Sequence, residues 1–178
     1  AALKEIIDLQ FLHSDTHLRY EIDFHPIDAS KSELIFKNND VSVETIVLNH
    51  RIPCTGFKFT EKKRLRKLVV EKLEQDAVPI TYYPMLKRSL NIDLPDGRHI
   101  EYLDYTTDSA VPKVYCYCSD TMYDESYFDQ IRNADTLYHE ATFLHEMLDR
   151  ANETHHTTAQ QAAEIATKVG AKKLLIGH

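Results

Sequence analysis

Residues 135–178 read DTLYHEATFLHEMLDRANETHHTTAQQAAEIATKVGAKKLLIGH, and this stretch decides the fold class. Thr136, Leu137 and Tyr138 make a short apolar run, predicted as a strand that delivers His139 and Glu140 to its C-terminal end. A loop then brings His155 and His156 to the start of a helix. Thr157 is the expected N-cap, with Gln160 three residues on as in a capping box and Gly170 as the stop. Ala159, Ala162, Ala163, Ala166 and Val169 give that helix a face of small side chains suited to close packing on a sheet. A second strand, Lys173 to Ile176, ends in Gly177 and His178. Any one of these histidines could sit on an ordinary surface loop. Titratable groups repeatedly placed at the ends of strands are instead where α/β folds assemble active sites.

Upstream, Val114 to Cys118 reads as a buried strand ending in Ser119-Asp120-Thr121, followed by a helix from about Glu125 to Arg132. Residues 18–27 alternate Leu18, Tyr20, Ile22 and Phe24 against polar positions and are predicted as a strand. Leu34-Ile35-Phe36 and Val41 to Leu48 are two more, separated by the Asn38-Asn39-Asp40 turn, and the second leads into Asn49-His50. Phe57-Lys58-Phe59 follows as a short strand, so this part is an antiparallel sheet edge. Residues 68–76 suit a short helix stopped by Pro79. From there to about Tyr105 the chain reads as irregular, with three prolines, an Asp96-Gly97 turn and exposed Tyr82 and Tyr83. So long a segment without its own structure is usually functional, and it is read as a protruding arm.

At 178 residues and 43% hydrophobic content the chain suits one soluble domain. It has no apolar run near the length of a membrane span, which argues against a membrane partner. The start lacks a signal-peptide order. Three cysteines, Cys54, Cys116 and Cys118, form no even disulfide framework, and a reducing cytoplasm is the expected home. The net charge of −7 disfavours nucleic acid taken alone. However, Lys58, Lys62, Lys63, Arg64, Arg66 and Lys67 are opposed only by Glu61, and a local basic stripe can bind phosphates within an acidic protein. Ten histidines point to metal binding, proton transfer or both.

Four strands thus end near His50, Asp120, Glu140 and His178. Such nitrogen and carboxylate donors suit zinc or manganese, and a carboxylate can bridge two ions about 3.5–4 Å apart. A water bridging two such ions becomes a hydroxide able to attack a phosphodiester or an amide. Glu140 could hold His156 in one tautomer as a proton donor to the leaving group.

Five motifs then fall in order. They are Leu48-Asn49-His50 with Cys54-Thr55-Gly56-Phe57, Ser119-Asp120-Thr121, His139-Glu140-Ala141-Thr142, His156-Thr157-Thr158-Ala159, and Gly177-His178. The whole chain resembles the C-terminal part of the ribonuclease Z family, tRNA 3′-processing endonucleases of the metallo-β-lactamase superfamily. The resemblance implies an α/β fold, part of an αβ/βα sandwich spanning 1–178, with a tRNA-binding arm at about 65–105. It makes His50, Asp120 and His178 metal ligands, with Asp120 bridging two divalent ions, by default zinc. Glu140 and His156 become the catalytic pair, and the basic stripe from Lys58 to Lys67 lies at the base of the arm. The implied reaction removes the 3′ trailer from precursor tRNA by attack of a metal-activated hydroxide. The enzyme implied is a zinc-dependent cytoplasmic endoribonuclease, expected as a homodimer.

Two departures shape the expectations. The family's H-x-H-x-D-H motif is absent, and His13-Ser14-Asp15-Thr16-His17 is read as a connecting turn. The Gly-Pro pair of the family's arm is replaced by Pro79-Ile80-Thr81-Tyr82-Tyr83-Pro84. The chain therefore looks like a piece of the enzyme that is inactive by itself. Half a sandwich should leave apolar sheet surface uncovered, favouring association with the missing half or with a second copy. The alternatives are a non-catalytic RNA-binding or dimerising module, and a hydrolase of small esters on the same fold.

Overall fold

The protein is described from a computed structural model that covers residues 2–14 and 18–178. Asp15, Thr16 and His17, the end of the expected connecting turn, lie outside the described residues. An unanticipated helix, α1 (Ala2–Leu12), begins the chain with Leu3, Ile6, Leu9 and Leu12 exposed. Residues 18–27 form no strand, contrary to their alternating pattern. Tyr20 and Ile22 stand exposed, and among the described residues no neighbouring strand pairs with the segment.

Six strands build the main sheet in sequence order: β1 (Leu34–Lys37), β2 (Val41–Leu48), β3 (Cys54–Glu61), β4 (Val114–Cys118), β5 (Thr136–Glu140) and β6 (Leu174–Gly177). The first three pairings are antiparallel, whereas β4–β5 and β5–β6 are parallel. The sheet is therefore mixed, with the parallel half carried by helical crossovers. These are the short α2 (Phe128–Ile131), and then α3 (Leu148–Thr154) followed by α4 (Ala159–Lys168). Ile46, Leu48, Cys116, Cys118 and Leu137 pack beneath Tyr127, Ile131, Ile165 and Val169 in one buried core.

The last helix starts one residue later than the sequence suggested. Thr158, not Thr157, is the N-cap: its hydroxyl accepts from Gln161 N–H, and the Gln161 side chain accepts from Thr158 N–H. Thr157 is instead buried and donates to the carbonyl of Thr121, tying the helix entry to the loop that carries Asp120. Gly170 does end the helix, at φ +69°, with Ala171 N–H returning to the Ala166 carbonyl at 2.9 Å.

The opposite face of the sheet is aromatic. Tyr117 stacks on Tyr138 with ring centres 4.8 Å apart, and Phe59 on Tyr115 at 5.8 Å. All four, with Phe57, are half-buried rather than sealed.

Between β3 and β4 the chain is not irregular. The strand pair Lys67–Leu68 and Thr106–Thr107 closes its base. Short helices and an Ile92–Asp93/His99–Ile100 hairpin enclose a second core of Leu73, Val78, Leu86, Ile92, Leu94, Ile100 and Tyr105. Tyr82 and Tyr83, expected to be exposed, are half-buried against that core. Its elements are too short for hydrophobic periodicity to show.

Candidate metal and catalytic site

Strand direction assembles the site. β2 is antiparallel to β3, and β3 to β4, so β2, β4, β5 and β6 all run the same way. Their C-terminal ends share one edge of the sheet. His50 and Asp120 lie just beyond β2 and β4, Glu140 is the last residue of β5, and His178 directly follows β6. His156 reaches the same edge from the turn between α3 and α4.

Asp120, His156 and His178 each offer a ligand atom, all within 4.8 Å of one another. The His50 ring lies 4.9 Å from that of His156, and the His178 ring 5.5 Å from it. The hydrogen bonds sort the ring nitrogens. His50 Nδ1 is 2.8 Å from the His155 carbonyl, to which it can only donate. His155 closes α3 in the left-handed conformation, φ +57°, and this places its carbonyl there. His156 Nδ1 is 2.8 Å from Glu140 Oε1 and donates to it. Both rings are thus held through Nδ1 with Nε2 left over, as second-shell partners hold metal-binding imidazoles.

Glu140 is only 1% exposed. Its carboxylate accepts from Thr121 N–H at 2.8 Å, from His156, and from the Thr142 N–H and hydroxyl at 3.2 and 2.5 Å. A carboxylate so enclosed orients its neighbours and is out of reach of a substrate.

The chain is similar to known proteins. Ribonuclease Z of Porphyromonas gingivalis is 44% identical over 169 residues, 95% of this chain and 55% of the relative. Ribonuclease Z of Cytophaga hutchinsonii is 40% identical over 178 residues, 99% of this chain and 56% of the relative. The chain matches the C-terminal part of ribonuclease Z. It spans about half the length of these curated relatives. No family model matches it. Among solved structures, human tRNase Z, short form, aligns with a TM-score of 0.51 and 25% identity, covering 83% of this chain and 39% of that one. The metallo-β-lactamase fold protein YhfI of Bacillus subtilis aligns at 0.50 with 18% identity, covering 98% and 48%, which shows the fold alone. The fold is thus of the metallo-β-lactamase type, as expected.

Of the segments that suggested ribonuclease Z, residues 139–142 contribute more than their acid. Thr142 Oγ1 lies 2.8 Å from His178 Nδ1, a contact the sequence did not announce. His139 plays no part in the site. It is fully buried, donates through Nδ1 to the Glu140 carbonyl, and accepts from the Tyr127 hydroxyl at Nε2. Burial pushes its pKa below the ordinary 6.5. A depressed histidine stabilises the fold fully above the unfolded pKa. That contribution is lost as pH falls through 6.5 towards the folded value. Unfolding free energy measured in urea is therefore expected to drop between neutral pH and pH of about 5, and less so in His139→Gln. Burial pushes the thiols of Cys54 and Cys118 up, and that of Cys116 to about 11.

The basic residues assigned to ribonuclease Z substrate do not form one stripe. Lys58 sits on β3 opposite Cys116, on the helix-covered face, while Lys63, Arg64 and Lys67 are exposed. Arg64, Arg66, Lys67 and Lys87 border a shallow groove of about 380 Å³. Within it Arg66 is committed to structure, bonding Thr106 Oγ1 at 2.6 Å, pairing with Asp108 and lying over the Tyr102 ring. Lys62 bonds the Asn38 carbonyl. Among the described residues no helix is long and apolar enough to cross a membrane.

Proposed function

We propose that this chain is part of a divalent-metal-dependent endoribonuclease that removes the 3′ trailer from precursor tRNA. The observation that carries this reading is the convergence of Asp120, His156 and His178 within 4.8 Å, beside His50. With a carboxylate and Nε2-presenting imidazoles, the donor set fits a zinc-like ion. Such an ion would supply Lewis-acid polarisation of the scissile phosphate and of the attacking water. Asp120 and His178 would hold it, with His50 completing the set. Glu140 fixes the His156 ring, and His156 Nε2 is the group available to pass a proton to the leaving 3′ oxygen of the tRNA body. The small second core at about 65–105, with Lys63, Arg64 and Lys67 at its base, would contact the tRNA away from the reacting bond. Pairing of two copies, each arm serving the other's site, belongs to the same reading.

The relatives carry about as much sequence again outside the region matched here. A chimera joining this chain to the unmatched part of the Porphyromonas gingivalis enzyme is therefore the direct test. With zinc it should release an intact trailer from labelled precursor tRNA, leaving a 3′-hydroxyl on the tRNA. This chain alone should not cleave, and Asp120→Asn should abolish cleavage in the chimera. Equal cleavage by the chimera and its Asp120→Asn variant would sink the proposal.

A further inference from the structure

One hydroxyl links the two halves of the site. Thr142 Oγ1 lies 2.5 Å from Glu140 Oε2, 2.8 Å from His178 Nδ1 and 3.3 Å from His156 Nδ1. A threonine hydroxyl has one proton to give. The carboxylate can only accept, and its contact is the shortest, so the proton goes to Glu140. The hydroxyl oxygen must then receive from His178, whose Nδ1 carries the hydrogen. His156 Nδ1 has its own acceptor in Glu140 Oε1 at 2.8 Å, nearer than Thr142. The order of donation is therefore His178 to Thr142 to Glu140, with His156 joining at the other carboxylate oxygen.

We propose that Thr142 is a positioning residue that sets the tautomer and ring orientation of His178, presenting its Nε2 beside Asp120. The same residue shares the Glu140 carboxylate with His156, so one side chain governs the geometry of two imidazoles from different segments. An isolated neutral imidazole prefers its proton on Nε2, the nitrogen this site needs bare, so the hydroxyl works against the intrinsic preference. The consequence for metal binding rests on the endonuclease reading above; the hydrogen-bond assignment does not.

The test is nitrogen-15 NMR of the histidine rings in this chain without metal, at a pH well above the ordinary histidine pKa. Zinc binding is measured alongside by competition with a chromophoric chelator. Wild type and Thr142→Ser should show His178 protonated on Nδ1. Thr142→Val, close in shape but without the hydroxyl, should move it to the Nε2-protonated form and weaken zinc by roughly 10–100-fold. The serine variant should retain wild-type affinity, which separates the hydroxyl's role from packing. An unchanged His178 tautomer in Thr142→Val, with the spectrum otherwise native, would overturn the proposal. If wild type takes up no zinc while the valine variant still shifts the tautomer, the positioning role stands and the metal reading fails.

Discussion

Replacing Glu140 by alanine is expected to cost about 3–5 kcal/mol of folding stability, a large share of the 5–15 kcal/mol typical of a domain. The carboxylate receives two backbone N–H groups, one hydroxyl and one imidazole. Thr121, one of those donors, is fully buried, so water cannot replace the lost oxygen there. A buried donor left without a partner costs about 1–3 kcal/mol. Relief from burying a charge offsets part of the loss, but that burial is already compensated by four hydrogen bonds. Glu140→Gln should fall in between, because its amide group must turn N–H towards one pair of donors. Urea unfolding of the three proteins decides the matter. A loss below about 1 kcal/mol for alanine would show that the enclosed carboxylate contributes little to the fold.

The second large effect is expected at Gly56. A Cβ built there would lie 2.6 Å from the Tyr117 carbonyl oxygen on β4, and 3.3 Å from side-chain atoms of Ile46 and Leu48 on its other side. The first contact is with main chain, which cannot swing aside. Gly56→Ala must therefore push β3 from β4 or strain both, at about 2–3 kcal/mol. Gly97 provides the comparison. It needs glycine for its φ of +86°, but a methyl group there would meet nothing within 4 Å, and its alanine variant should lose only about 1 kcal/mol. Thermal or urea unfolding should rank Gly56→Ala clearly below Gly97→Ala. Equal losses would mean that the sheet accommodates the methyl group.

What the sequence revealed follows from which interactions are local. Val41–Leu48, Val114–Cys118 and Thr136–Glu140 were legible because runs of β-branched, aromatic and apolar residues between turns specify strands. Their ends located His50, Asp120 and Glu140. Residues 18–27 carried the same alternation without becoming a strand, because alternation defines a face but supplies no partner edge. The second core was hidden by short elements that join residues as distant as Leu73 and Ile100. At the N-cap, two successive threonines were chemically equivalent in sequence. Only the Thr121 carbonyl, 36 residues away, decided that Thr157 would be spent elsewhere. The nitrogen choice at His50 and His178 was likewise invisible, since it depends on the His155 carbonyl and the Thr142 hydroxyl.

The direction of β3 has one last consequence. The strand begins at the edge that carries the histidines and ends at Glu61, beside Lys113, where the chain leaves for and returns from its small second core. Eight residues of strand span roughly 25 Å. The sheet thus acts as a gauge that fixes the distance between the histidine-bearing edge and the small second core. A molecule that touches both must itself be about that long. A smaller molecule would meet one end alone.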